Sequence, residues 1–424
     1  MEKIKIADGV YLSCIEDKKF KTSTMLVAVH TKLNKEDATK NALLPLVLKR
    51  GTKTYKTFDE IEKHLAKLFG AEMSCNVIKR GEDQILLFDI GFISDAFAPE
   101  KKGILKEASS LLFEIVFNPY TENGAFKKEY VENEKTNLKD MIKAQANDKQ
   151  TFAITRLYEE MFSEEDFSVS ELGNLEDVDK IDEKSLYEHY LKLICSAPVD
   201  IFIAGGENSA PLIETAQNAL SGIKRENVLS YPVHAPHKKR GEVKHVTERF
   251  NLNQAKLSLG FSRGPLSEDE YFSFIVANSI FGSGVHSKLF NNVREKLSLA
   301  YYAFSRTERV KNAIIVGMGI EEENFKKAYD ETLYQLDALK RGEISDDEFN
   351  GAVMFLKNNA RAVLDSQGAM IMYNLSNCAL GLDISIDEYT RKIDEVTKQS
   401  CAESFKDLAL DTVYFLCGKE NEDA

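Results

Sequence analysis

Residues Gly282–Ser305 read GSGVHSKLFNNVREKLSLAYYAFS, and the fold is decided there. The stretch is entered from an apolar helical pattern that ends at Phe281. Phe281-Gly282-Ser283-Gly284 therefore reads as a helix-ending turn, because a loop built to cradle phosphate would follow a strand and open a helix. The stretch leaves through Tyr301–Ser305, an aromatic-rich run that reads as a strand.

Working outward, Met25–His30, Gln84–Phe92, Val199–Ala204, Lys256–Phe261, Ala313–Met318 and Thr412–Leu416 carry the same strand signature. Helical periodicity occupies Phe126–Ala146, Phe325–Leu339 and Asp347–Leu364. Strands are sometimes adjacent and sometimes separated by helix pairs, which predicts an α+β, layered α/β fold with helices on one face of a mixed sheet. VDIFIAGGEN (Val199–Asn208) and DTVYFLCGKEN (Asp411–Asn421) are each a strand, a glycine and a polar turn, and Gly206 and Gly418 stand half of the 424-residue chain apart. Internal duplication is the expectation that follows. Between the halves, YPVHAPHKKRGEVKHVTERF (Tyr231–Phe250) combines prolines, a glycine and a basic cluster, and reads as a linker. His234 and His237 have the spacing of a ligand pair, but in such a linker they are expected to lie in a solvated loop.

Hydrophobic residues make up 43% of the chain and charged residues 29%, the balance of an ordinary globular protein. Halves of about 200 residues bury a sizeable core without disulfides. The formal net charge of −13 repels phosphate backbones, which argues against a nucleic-acid partner, and attracts a basic peptide. Cys14, Cys75, Cys195, Cys378, Cys401 and Cys417 form no C-x-x-C pair and are expected to be free thiols. The N-terminal MEKIKIADGVYLSC has no apolar signal-peptide core, and no run approaches the about 20 apolar residues of a membrane span. A cytoplasmic location is therefore expected. Neither a G-x-S-x-G elbow nor a G-x-x-x-x-G-K-[ST] loop is present. Outside the linker the histidines are scattered, so no zinc site is expected from this chain alone.

Gly282, Gly284, Ser287, Leu289, Phe290, Arg294, Glu295, Leu299, Ala300 and Tyr301 match, in order and register, the signature G-G-G-x-x-S-R-L-F-x-x-x-R-E-x-x-x-L-A-Y. On these residues the chain resembles the pitrilysin and mitochondrial-processing-peptidase family of inverted zincins, over nearly its whole length, and is identified as a bacterial member that lacks the zinc motif. The resemblance implies two homologous domains, 1–225 and 246–424, joined by a linker at 226–245. Each would be a mixed sheet with helices packed on one face, and the pair would close as a clamshell around a peptide-holding chamber. It also implies that Arg294 and Tyr301 bind substrate and stabilise an oxyanion. A fixed cation and a phenolic hydroxyl aimed at developing negative charge each lower a barrier by on the order of 2–4 kcal/mol. The plainer reading of the same residues is a helix-end arginine and a strand tyrosine packed on the sheet.

The family's inverted zinc motif, H-F-L-E-H-M-L-F-K-G-T, corresponds here to Ala42-Leu43-Leu44-Pro45-Leu46-Val47-Leu48-Lys49-Arg50-Gly51-Thr52. Its two histidine positions are Ala42 and Leu46, and its general-base position is Pro45. The family's later metal-binding glutamate matches Glu132, with an extra loop near Ile93–Gly103 accounting for the longer spacing. A catalytic zinc needs three protein ligands and an open water position, and one carboxylate cannot supply them. Glu132 is thus expected to be a solvated or salt-bridged helix residue. Pro45 in a helix interior costs about 3 kcal/mol, so that helix is expected to start late or kink.

The resemblance implies a chain that binds no metal or cofactor itself and is inactive alone. It would be the zinc-less subunit of a heterodimeric zinc metallopeptidase, with Arg294 and Tyr301 acting in trans on peptides or small proteins. Its partner would be a sister subunit with an intact H-x-x-E-H motif, which would hold the zinc, or, for the chain alone, a second copy of itself. The competing expectation is a structural or peptide-binding scaffold without a peptidase role.

Overall fold

A computed structural model of the chain describes residues 3–98, 103–206, 210–237 and 241–418. Part of the loop expected near Ile93–Gly103 and the linker's basic cluster at 238–240 lie outside the described residues. Two compact units emerge. The first comprises Met1–Lys143, Val169–Val233 and Val363–Asp383, and the second Ala144–Ser168, His234–Ala362 and Ile384–Ala424.

The strands are β1 (Lys3–Ala7), β2 (Val10–Glu16), β3 (Thr22–Lys32), β4 (Glu72–Arg80), β5 (Asp83–Ile93), the two-residue pair β6 (Thr121–Glu122) and β7 (Ala125–Phe126), β8 (Val199–Gly205), β9 (Lys244–Phe250), β10 (Ala255–Ser262), β11 (Ala300–Glu308), β12 (Ala313–Ile320) and β13 (Ala409–Gly418). In the first unit the sheet order is β1-β2-β8-β3-β5-β4. β8 runs parallel to β2, and the other pairings are antiparallel. A strand buried on both faces reads as a continuous apolar run rather than an alternation. That is why β3 carries MLVAV: Met25, Val27 and Val29 enter one core and Leu26 and Ala28 another. The larger core packs the sheet against the helices Ala38–Leu48, Ile104–Phe117, Lys128–Ala144 and Glu183–Ser196.

The second unit repeats the plan. Its order is β11-β12-β10-β13-β9, with β13 parallel to β9 and antiparallel to β10. Each pairing has its counterpart among β4, β5, β3, β8 and β2, so the duplication seen in VDIFIAG and DTVYFLCG extends to the whole sheet. The helix Glu268–Gly282 lies on one face, where Phe261 meets Phe281 edge-on at 6.3 Å.

The single helical layer expected on each sheet is supplemented in both units. The helix Lys149–Met161 covers the other face of the second sheet through Ala153, Ile154, Leu157 and Met161, against Ile315, Tyr414 and Leu416. It comes so close that a Cβ on Gly260 would stand 2.5 Å from the Met161 sulfur. Reciprocally, the helix Gln367–Ala379 covers the first sheet through Met370, Ile371, Leu375 and Ala379. Each half of the chain thus lends one helix to the other half's sheet. Leu157 is fully buried in this contact. Leu157→Ala should lower the unfolding free energy by about 2–5 kcal/mol in urea titrations. Hydrogen exchange should rise in β10 and β13 and stay unchanged in β3 and β5; the opposite pattern would place the helix on the wrong sheet.

Candidate functional site

The motif stretch is built as one compact device. The helix Glu268–Gly282 ends where Gly282 presses on β11, and a Cβ there would lie 2.7 Å from the Ser305 backbone nitrogen. Gly284 has φ +136°, a conformation that L side chains rarely adopt. The Ser287 hydroxyl closes the turn by donating to the Gly284 carbonyl at 2.7 Å, and Ser283 donates to the Ser305 carbonyl at 2.8 Å. A π-helix, Leu289–Lys296, follows, held down by buried Leu289 and Val293. π-helical turns are rare and concentrate at functional sites. Ser298 then takes φ 49° and returns the chain into β11.

Arg294, in the last turn of that helix, donates from Nε to the Tyr301 carbonyl at 3.0 Å. Its guanidinium lies 4.6 Å from the Phe290 ring centroid and 3.4 Å from Glu295. Tyr301 is the extra residue of a β-bulge between Ala300 and Tyr302, a feature that re-aims a side chain at a sheet edge. Tyr301 is 57% exposed and the Arg294 side chain 40%. The structure therefore brings the two expected residues together and leaves both facing solvent, rather than packed on the sheet. The Tyr301 hydroxyl donates to the Glu321 carboxylate, which holds the phenol's pKa above its ordinary value. Glu321 carries no motif of its own, so sequence reading missed it.

The helix Ala38–Leu48 holds the residues expected to stand at the family's zinc positions. Ala42 and Leu46 sit in the first unit's apolar core, and Pro45 is buried beside them. The helix does not start late: it begins at Ala38, seven residues before the proline. It runs through the proline to Leu48, and the Lys49 N–H still reaches the Pro45 carbonyl at 3.3 Å. The neighbouring Asn41 side chain is fully engaged, donating to Thr31 at 3.0 Å and Gln84 at 2.9 Å and lying 2.7 Å from His189 Nε2. Burial pulls His189 down to about 4, so the ring is neutral and its Nε2–H donates to Asn41. Glu132 is half exposed and paired with Lys135 at 3.0 Å. Zinc, which the family implies, does not fit these residues: a methyl, a proline ring and an isobutyl group offer it no lone pair. Among the described residues, no three His, Cys, Asp or Glu side chains converge as a metal-binding set.

Two buried ionic clusters escaped the sequence reading. In the first unit His30 stands between Asp83, 2.6 Å from Nδ1, and Asp200, 3.3 Å from Nε2, all three side chains essentially without solvent contact. Lys3 lies 3.5 Å from Asp200, and Tyr231 donates to Asp200 at 2.9 Å. In the second unit His237 stands between Glu165 at 2.5 Å and Asp411 at 3.1 Å, and Lys311 donates to Glu165 at 2.7 Å. His237 is therefore not in a solvated loop but 8% exposed, because two carboxylates receive it. Burial pulls each imidazole down, and its two carboxylates outweigh that, holding both His30 and His237 up at about 9. The available signal was a charged residue inside an otherwise apolar strand: Asp200 in VDIFIAG and Asp411 in LDTVYFLCG.

Residues 180–356 match the family description "Peptidase M16 inactive domain". The "Probable inactive metalloprotease YmfF" of Bacillus subtilis (strain 168) is 31% identical over 413 residues, which make up 97% of this chain and 96% of that protein. The crystal structure of a conserved protein from Enterococcus faecalis V583 is 30% identical, with a TM-score of 0.91 and 99% of each chain covered. A crystal structure described as the peptidase M16 inactive domain from Pseudomonas fluorescens gives a TM-score of 0.81 at 14% identity, over 100% of this chain and 99% of that one, a likeness of fold alone. With identity at this level running the length of both sequences, the chain belongs to the M16 peptidase family, the pitrilysin and processing-peptidase group that its Gly282–Tyr301 motif resembles.

Proposed function

We propose that this chain is the zinc-less half of a two-chain zinc peptidase, acting in the cytoplasm on extended peptides or small proteins. The observation that carries this reading is a contrast. Ala42, Pro45 and Leu46 are sealed in the core, whereas Arg294 and Tyr301 are tied together and open to solvent. A surface so arranged is suited to a site completed by another chain. The partner would carry the intact H-x-x-E-H motif and the zinc. This chain would contribute the Arg294 cation to hold substrate and the Tyr301 hydroxyl to donate to a developing oxyanion, releasing Glu321 as it does so. Among the described residues no strand lies beyond β11 in its sheet, and a peptide strand added at that edge would fit this reading.

One observation favours the scaffold reading. The Glu321 carboxylate places negative charge beside the Tyr301 hydroxyl, where an oxyanion donor would act. The two readings part on turnover. In the assembled two-chain enzyme, Tyr301→Phe and Arg294→Ala should each lower kcat by about 100- to 1,000-fold while co-purification of the chains is unchanged. Unaltered turnover in both variants would remove the catalytic role and leave the scaffold. For the chain alone, dialysis against EDTA should leave the melting temperature where it was, and elemental analysis should find far less than one zinc per chain. Stoichiometric zinc whose removal lowers the melting temperature would overturn the assignment of the metal to the partner.

A further inference from the structure

The two ionic clusters share a construction and a connection. Each has an imidazole between two carboxylates, a lysine as second cation, and an aromatic ring set edge-on to the imidazole. Tyr231 stands 4.9 Å from His30 at 78°, and Phe162 stands 4.8 Å from His237 at 82°. Two cations thus balance two anions in each cluster. The central aspartates, Asp200 and Asp411, lie in the corresponding strands β8 and β13. The clusters are also the anchors of one segment, because Tyr231 docks into the first and His237 into the second. Between them Pro232 and Pro236 limit the backbone, Val233 is 86% exposed, and Lys311 donates to the Ala235 carbonyl at 2.8 Å.

We propose that residues 231–237 form a strap fastened at one end into each unit by a buried imidazolium, and that loss of the proton from either imidazolium releases that end. An imidazolium between two carboxylates is held by attraction on both sides. Neutral imidazole has one N–H and one lone pair, so it can donate to only one of its two carboxylates and turns a lone pair on the other. In the second unit the imidazole belongs to the strap, and its release frees the strap directly. In the first unit the strap contributes Tyr231, whose acceptor Asp200 would then have lost its closest cation.

Among the described residues, Asp83 from β5, Asp200 from β8 and the ring of Tyr231 from the strap face His30, while Lys3 from β1 pairs with Asp200 and itself lies against Tyr11 from β2 and Cys378 from the helix Gln367–Ala379. The groups that bear on His237, among the described residues, are Glu165, Asp411 and, through Glu165, Lys311. Both folded-state values stand at about 9, above the ordinary histidine value of 6.5. Raised values of this kind mean that the fastening is complete below pH 6.5 and is lost as the pH rises through 9.

Thermolysin cleavage within 231–237, mapped by mass spectrometry on the full chain, tests this. The rate is divided by that for a synthetic peptide of the same sequence, which removes the protease's own pH dependence. The ratio is expected to rise at least tenfold between pH 6.5 and 9.5 while far-UV circular dichroism stays constant. His237→Gln should show the high ratio already at pH 6.5, and Tyr231→Phe an intermediate one. A ratio that is flat with pH, or a rise that coincides with global unfolding, would overturn the proposal. The wild-type profile and Tyr231→Phe decide the matter even where His237→Gln fails to fold.

Discussion

Each half of the chain is closed by its last strand, which enters between two strands already in place. β8 fits between β2 and β3, and β13 between β9 and β10. Such a strand pairs on both edges and is covered on both faces, so it has no solvent side on which to carry polar residues. All seven residues of β8 are buried. Yet each closing strand includes an aspartate, and a carboxylate removed from water is tolerated only beside compensating charge. His30 and Lys3 supply it for Asp200. His237 supplies it directly for Asp411, with Lys311 balancing the neighbouring Glu165. Because the compensating groups come from β1, β3, the linker and the β11–β12 turn, the closing strands tie distant parts of the chain to themselves.

The same demand for cover on both faces explains the exchanged helices. A sheet whose second face is apolar needs a second layer, and in both units that layer is one helix drawn from the other half of the sequence. The helix Ala38–Leu48 shows what the absence of metal ligands allows. A zinc-binding helix keeps polar side chains at an accessible surface. Here Leu46 is buried, a transfer that contributes about 1.5–3 kcal/mol. The proline within that helix removes one N–H from the ladder, and tertiary packing outweighs the loss.

A good deal of the fold was legible. The strands Met25–His30, Gln84–Phe92, Val199–Ala204 and Lys256–Phe261 announce themselves because burial on both faces demands unbroken apolar runs, and the duplicated closing strands announce the repeat. At the site, Gly282, Gly284 and Ser287 were legible as a motif, since a close approach, a positive φ and a turn-closing hydroxyl each admit few residue types. Glu321 was not legible. It reaches Tyr301 across an antiparallel pair, and nothing in its own neighbourhood in the chain marks it. His237 was misread for a related reason: a proline-flanked histidine looks like loop chemistry until the carboxylates of Glu165 and Asp411 are brought to it.

The sequence by itself determined the strands, the internal duplication, the absence of metal ligands at positions 42, 45 and 46, and the spacing of Arg294 and Tyr301. These are local properties, set by side-chain period, backbone conformation and donor chemistry. Only the tertiary structure decided which sheet the helices Lys149–Met161 and Gln367–Ala379 cover, which carboxylates clamp His30 and His237, and that Arg294 and Tyr301 face solvent. An amphipathic helix carries no address for its sheet, and a charge acquires its partner only when chain segments far apart in sequence are brought within a few ångströms.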